Sequence, residues 1–278
     1  MKRTFFFCDI DGTLLRGAMV VPERVKEAAR RYAVAGGGLV LCTGRSPKST
    51  LQIARDMDVA LPCIVHSGAM IYDFTRCRAV RTMPMPVAAR DVLETLMSGN
   101  SAISVQACTD DKTYLLRGNA VLSSRGVRED LARRESSLDE VRGDILKIVL
   151  TCEDTELLRS CGETLFDQNV FAFAFASTHF AEVVARGADK GAAAHSLAEE
   201  LGVAMEDTFA AGDAMTDFPL LRSCGYTFAP EDSARPLLEI CDTIIPTCEN
   251  SGMETAFQAA RNKASAYGAM LAGGPPAP

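Results

Sequence analysis

The stretch Phe5-Phe6-Phe7-Cys8-Asp9-Ile10-Asp11-Gly12-Thr13-Leu14-Leu15 decides how the chain is read. A short apolar run ends in two carboxylates two residues apart, followed by a glycine. Such a run, closed by a turn signal, predicts a buried parallel strand. Side chains alternate along a strand, so Asp9 and Asp11 share one direction if extended geometry persists through Asp11. Two acids at the end of a buried strand do little for packing. They repel unless a cation or a shared proton intervenes. Gly12 permits a sharp exit and a close backbone approach. These parts suit a site that holds a metal and attacks an electrophile, one carboxylate acting as nucleophile and ligand, the other as proton donor and acceptor. The plainer reading, a surface Asx turn, accounts for one Asp before a Gly but not for an apolar run feeding two.

Three further stretches bear on the same site, two of them entered from a candidate strand. Leu39-Val40-Leu41-Cys42 runs into Thr43-Gly44-Arg45-Ser46-Pro47. Ser46 reads as a helix N-cap with Pro47 at the first helical position. A strand therefore delivers Thr43 and Gly44 to a helix N-terminus, an anion-binding arrangement. A hydroxyl and a free amide there suit a phosphate oxygen. Lys190 precedes an expected helix over about 192–201, where it opposes the macrodipole. A cation makes sense there if it neutralises crowded carboxylates and phosphate. Thr208-Phe209-Ala210-Ala211 leads into Gly212-Asp213-Ala214-Met215-Thr216-Asp217-Phe218-Pro219. Again two carboxylates follow a strand at a glycine, and oxygen ligands on such loops are what a Mg²⁺ site needs.

Asp9-Ile10-Asp11-Gly12-Thr13 resembles the first motif of the haloacid dehalogenase-like superfamily. Thr43-Gly44-Arg45 resembles its second motif, in the form used by Cof-like members. Lys190 stands where the third motif places its lysine. Gly212-Asp213 through Asp217 is similar to the fourth, with Thr216 where Asn is usual. Ser67-Gly68-Ala69 departs from the Asn-Gly-Ala that Cof-like proteins often carry, though the glycine turn is kept. The resemblance is to subclass IIB and covers the chain except its tail. It implies an α/β fold: a Rossmann-like doubly wound parallel sheet core with an inserted αβ cap domain. The expected core is 1–82 and 187–271. Two prolines, Pro84 and Pro86, mark the start of the cap at 83–186, which the resemblance makes the specificity domain. The tail 272–278 is expected to be disordered. In such a fold the site lies beyond the carboxyl ends of the core strands.

By the same resemblance Asp9 is the nucleophile of an aspartyl-phosphate mechanism. Asp11 is the acid and base, which requires it to start with a higher pKa than Asp9. Thr43, the Gly44 amide and Lys190 bind the phosphoryl oxygens. Asp9, the Asp11 carbonyl and Asp213 hold Mg²⁺, and Asp217 ligates it or orients its waters and Lys190. The expected function is Mg²⁺-dependent hydrolysis of a small phosphorylated metabolite, a sugar phosphate or phosphorylated cofactor. A phosphosugar mutase shares core and cap type. A non-catalytic phosphate-ligand sensor is the remaining alternative, disfavoured by four intact motifs. A dehalogenase leaves Asp11 without a task.

Bulk properties agree with this reading. The 278 residues allow one large or two ordinary domains, and 47% apolar content suffices for a core. A net charge of −7 argues against a general nucleic-acid or membrane-surface binder. It leaves room for an anionic substrate, since a metal and one lysine reverse the local potential. The ten cysteines include no Cys-x-x-Cys pair, and several lie in apolar runs. They read as reduced thiols in a cytoplasmic protein. Asp9 cuts the first apolar run too short for a signal-peptide core. No stretch approaches the roughly 18 apolar residues of a membrane span.

Within the insertion, Phe171-Ala172-Phe173-Ala174-Phe175 alternates strictly, so three rings face one way. They read as cap core, with a ceiling over the site as the sharper alternative. The charged stretch from Arg125 to Arg134 reads as a solvated helix face. His66, at a strand end, reads as structural. The hairpin tip Thr109–Lys112 is the candidate specificity contact.

Overall fold

A computed structural model describes residues 3–17, 20–110, 112–121 and 134–271, with side chains to residue 264. The chain opens with β1 (Thr4–Cys8), α1 (Glu23–Val34), β2 (Gly37–Leu41) and α2 (Pro47–Asp56), then β3 (Cys63–Val65), β4 (Met70–Asp73) and β5 (Arg78–Thr82). The next elements are α3 (Ala88–Ser98), β6 (Ser104–Thr109), β7 (Thr113–Arg117), β8 (Ile145–Thr151), α4 (Thr155–Leu165), β9 (Phe171–Ser177) and β10 (Phe180–Ala185). The chain closes with α5 (Lys190–Glu200), β11 (Thr208–Ala211), α6 (Phe218–Ser223), β12 (Tyr226–Pro230), α7 (Arg235–Ile240), β13 (Thr243–Ile245) and α8 (Gly252–Leu271).

Two five-stranded sheets carry the fold. The first, in the order β13-β12-β11-β1-β2, is parallel throughout. Its strands are short apolar runs because both faces are covered. Phe6, Cys8, Phe209 and Phe228 pack under α1 and α8, whereas Phe5, Phe7, Ala210 and Ala229 pack under α5, α6 and α7. Helices on both faces make the sheet doubly wound, as expected. The second sheet, β7-β6-β8-β10-β9, is antiparallel and forms the inserted cap. Its outer face buries Val105, Ile148, Val183 and Phe171 against α3 and α4.

Several local expectations need adjustment. A helix over about 22–35 closed by Gly36-Gly37-Gly38 is what the sequence suggests, but Gly37 and Gly38 do not end the helix. They begin β2, because the ladder with β1 starts by pairing Thr4 with Gly37 and Phe5 with Gly38. Lys190 does not precede its helix but is the first residue of it, since Asp189 is the N-cap. Phe171, Phe173 and Phe175 belong to the cap's own core around Phe166. The alternating Ala172, Ala174 and Ala176 therefore face the first sheet's side. Ala172 packs there with Val65, Met70 and Ala188. At the hairpin tip, Thr109 N–H donates to Lys112 O, and the Lys112 ammonium sits 4.3 Å over the Tyr114 ring. The stretch 122–133, Asp111 and the tail 272–278 lie outside the described residues. All ten cysteines are free. Among the described residues, no helix is long and apolar enough to cross a membrane.

Candidate active site

The alternation of β1 sets the site. Asp9 follows the parity of Phe5 and Phe7, so it emerges on the side covered by α5. That helix starts at Lys190 because the Asp189 carboxylate accepts from Ala192 N–H at 2.9 Å. The Lys190 Nζ donates to Asp9 Oδ1 and to Asp217 Oδ1, each at 2.6 Å. Lys190 is 2% exposed and Asp217 fully buried. The other Asp217 oxygen accepts from the backbone N–H groups of Asp213 (3.2 Å) and Ala214 (3.1 Å). Asp213 in turn accepts from Thr13 Oγ1 at 2.8 Å. Gly12 has φ +98°, and a Cβ there would run into the Asp213 carboxylate. The glycine thus lets the turn after β1 close onto the loop after β11.

One oxygen each from Asp9, Asp213 and Asp217 lies within 4.8 Å of the others. Three carboxylates around one ammonium leave excess negative charge in a buried place. Burial and the Asp217 charge push the Asp9 carboxyl well above its usual range, against the pull of Lys190. Burial and Asp217 likewise push Asp213 up to about 7. Burial opposes the Lys190 charge, yet Asp217 and Asp9 outweigh it and hold the ammonium well above its ordinary value. A cluster this short of positive charge, with oxygen donors only, fits a hard divalent cation.

The raised Asp213 pKa fixes a pH dependence. A carboxyl raised in the folded state contributes stability that is full below about 4 and lost as pH rises through about 7. In chelator, the melting temperature of the metal-free protein should therefore fall between pH 5 and pH 8. The full effect at this group is about 4 kcal/mol. Asp213→Asn should flatten the fall, as should saturating Mg²⁺ with the native chain. Melts that do not change slope in either case would contradict this electrostatic account.

Asp11 is placed differently. Its carboxylate takes a two-pronged ion pair from Arg45, Nε to Oδ2 at 2.8 Å and Nη2 to Oδ1 at 2.6 Å. The Asp11 side chain remains 40% exposed, while Arg45 is buried. Fork-on-carboxylate pairing stabilises the ionised form. Asp11 must leave this pair before it can hold a proton for another group. Thr43 is buried, and its Oγ1 accepts from Arg45 N–H at 3.1 Å. Its backbone is tied to the next loop, with Ser67 N–H donating to Thr43 O at 3.0 Å and His66 N–H to Arg45 O at 2.9 Å. His66 and Ser67 both take left-handed backbone angles, φ +49° and +60°. Two such non-glycine residues in succession are costly locally and are held by these bonds.

The cap reaches this loop through two residues that the sequence reading passed over. Glu182 of β10 accepts from the Ser67 hydroxyl and from Lys147 Nζ of β8 at 2.7 Å. Lys147 also donates to the Gly44 carbonyl. A Cβ on Gly44 would lie 2.5 Å from Glu182 Oε1, so this glycine lets the cap close on the loop. Burial opposes the Glu182 charge, but Lys147 and the Ser67 hydroxyl hold its carboxyl below the usual range. The signal for both residues was available: each is a lone charge inside an apolar strand. Arg45 was quoted in its motif but given no task.

The model of one protein family matches residues 6–257, and it describes haloacid dehalogenase-like hydrolases. The chain belongs to the haloacid dehalogenase-like hydrolases. Its subclass IIB resemblance holds in the fold as well. A solved haloacid dehalogenase-like hydrolase from B. subtilis superposes with a TM-score of 0.83 at 20% identity, covering 92% of this chain and 99% of its own. A solved subclass IIB sugar phosphatase gives 0.78 at 17% identity, covering 92% and 98%. In sequence, a 5-amino-6-(5-phospho-D-ribitylamino)uracil phosphatase of Bacillus subtilis (strain 168) is 24% identical, over 88% of this chain and 93% of its own length. A second B. subtilis phosphatase is 23% identical, over 88% and 95%.

Proposed function

We propose that the protein is a Mg²⁺-dependent phosphatase that hydrolyses a small phosphorylated metabolite through an aspartyl-phosphate. Residues 1–82 and 187–271 form its catalytic core, and 83–186 form the cap that selects the substrate. The observation that carries this reading is the buried ammonium of Lys190 set between Asp9 and Asp217, with Asp213 beside them. The names of the related phosphatases point the same way, toward phosphorylated sugars and ribityl compounds. The free thiols suit a reducing cytoplasm.

In this mechanism the Asp9 carboxylate attacks phosphorus, and the bond to the leaving alcohol breaks. Asp11 gives the alcohol its proton, then takes one from the water that cleaves the aspartyl-phosphate. Release of phosphate restores Asp9. Thr43, the Gly44 amide and Lys190 take up charge on the equatorial oxygens, so positioning and electrostatics supply most of the rate. Asp9, the Asp11 carbonyl and Asp213 would hold Mg²⁺, with Asp217 holding it or its waters. When bound, the ion offsets the repulsion between a carboxylate and a phosphoryl dianion.

The pairing of Asp11 with Arg45 adds a step: substrate arrival must draw the two apart. Asp11→Asn should lower turnover of an alkyl phosphate by about 10²–10⁴-fold. Phosphoryl-enzyme should still form slowly from an ester with a good leaving group, and a rapid-quench experiment would detect it. Wild-type turnover in this variant would remove Asp11 from the acid–base role. The reading as a whole is tested by phosphate release from a panel of small phosphomonoesters with and without Mg²⁺. Metal-dependent release is expected. An isomeric phosphosugar in place of free phosphate would turn the assignment to a mutase.

A further inference from the structure

Lys147 and Glu182 form a buried ion pair at 2.7 Å, with side chains 3% and 13% exposed. Burying two ions is rarely a net gain in stability over well-packed apolar residues. Apolar residues are what the sheet places beside them: Val149 and Ala174 lie across from Glu182, and Val184 lies across from Lys147. Both charged groups also bond to the core. Lys147 Nζ donates to the Gly44 carbonyl, and Glu182 accepts from the Ser67 hydroxyl. The pair therefore acts on the loop that carries Thr43 and Gly44.

Three successive carbonyls of that loop are held. Ser67 N–H donates to Thr43 O, Lys147 Nζ to Gly44 O and His66 N–H to Arg45 O. Each held carbonyl fixes the N–H of the next residue, because a trans peptide unit is planar and its C=O and N–H point in opposite directions. The Thr43 carbonyl sets the Gly44 N–H, the amide proposed to face the phosphoryl group. The Gly44 carbonyl sets the Arg45 N–H, which donates to Thr43 Oγ1 at 3.1 Å. A hydroxyl oxygen that accepts there keeps its own proton to donate. A clamp is needed because residue 44 is a glycine, whose peptide planes rotate with little steric resistance. Glycine is required in turn because a Cβ would run into the Glu182 carboxylate. We infer that Lys147 and Glu182 are positioning residues. Lys147 through the Gly44 carbonyl, and Glu182 through Ser67, aim the Thr43 hydroxyl and the Gly44 N–H at the transferring phosphoryl group. The cap thereby completes a phosphate-binding loop that belongs to the core. The inference rests on the phosphatase reading and adds to it two residues that touch no reacting atom.

The test sets stability against activity. Lys147→Met/Glu182→Leu replaces the pair by apolar groups of similar volume, so it should melt at or above the wild-type temperature. Its kcat for a phosphomonoester in Mg²⁺ should fall by about 10–10²-fold with KM within about threefold, the loss expected of misaimed donors. Glu182→Gln should do the reverse. It leaves the Lys147 charge unpaired and should melt lower. It keeps an acceptor for Ser67 and should retain kcat within about threefold. Opposite rankings of the two variants in melting temperature and in kcat support the inference. Activity that follows melting temperature, or a double variant with wild-type kcat, would overturn it. Should the double variant not fold, Glu182→Leu against Glu182→Gln carries the comparison, since both lose the ion pair and only Gln keeps the acceptor. A Glu182→Leu kcat at or above that of Glu182→Gln then overturns the inference. Calorimetry of orthovanadate binding in Mg²⁺ separates the inference from the reading on which it rests. Vanadate takes up a fifth ligand as phosphorus does during transfer, so wild type should bind it more tightly than the double variant or Glu182→Leu. That difference in a protein that hydrolyses no phosphomonoester overturns the phosphatase reading alone. Equal affinities, or no binding to either, overturn the positioning role.

Discussion

Asp9→Asn should abolish phosphate release, by at least about 10⁴-fold in kcat, without harming the fold. Removing a nucleophile from a covalent mechanism leaves only binding and electrostatics. The stability half of this expectation follows from the direction of the Asp9 shift. Burial and Asp217 together disfavour its charge more than Lys190 favours it. A neutral isostere therefore relieves net repulsion. In chelator at pH 8 the variant should melt at or above the wild-type temperature. Added Mg²⁺ should raise wild type more than the variant, since one ligand of the ion has gone. An inactive variant that melts well below wild type would mean that Asp9 is a structural group, and the nucleophile would have to be sought elsewhere.

Lys190→Met should act in the opposite sense on stability. The ammonium is the partner of both Asp9 and Asp217, and all three are buried. Truncating one side of a buried ion pair costs about 3–5 kcal/mol, because the remaining charges stay uncompensated. The raised pKa of Lys190 means that its contribution is fully present below about 10.5, so wild type has all of it at pH 5 and at pH 8. The deficit of the variant should nevertheless depend on pH. Asp9, already raised in wild type, takes up a proton more readily as pH falls, which relieves the repulsion at the lower pH. Thermal melts at the two values should show the larger loss at pH 8. Phosphate release should fall by about 10³-fold, a loss comparable to removing an aimed donor from a developing oxyanion. A variant as stable as wild type at pH 8 would show that the three carboxylates do not depend on this cation.

Much of this arrangement is legible in the sequence. Asp9, Asp213 and Asp217 announce themselves because each follows a short apolar strand, and parallel strands of a doubly wound sheet deliver their ends to one edge. Lys190 was legible as a cation in the wrong place for its helix, and the structure supplies the reason for tolerating it. Asp11 was read as the acid and base of the site, and its pairing with Arg45 was not foreseen. Nothing in the spacing of residues 11 and 45 indicates a fork-on-carboxylate pair; it depends on how the two loops fold back after β1 and β2. Lys147 and Glu182 were missed for a related reason. They lie 35 residues apart, and only the antiparallel register of β8 and β10 sets them side by side. The left-handed angles at His66 and Ser67 were also invisible, because neither residue type signals them. The bonds to Thr43 and Arg45 that hold them are tertiary.

The alternation along β9 has a bearing on how this molecule could acquire a new preference. Phenylalanines on one side of the strand hold the cap together, and on the other side Ala172 packs with Val65, Met70 and Ala188. Stability and headroom are thus written on opposite faces of the same seven residues. Enlarging Ala174, which lies across from Glu182, would add bulk beside that carboxylate on the face opposite the rings. The edge strand can be retuned for a smaller or flatter alcohol one side chain at a time, while the structure that carries it keeps its packing.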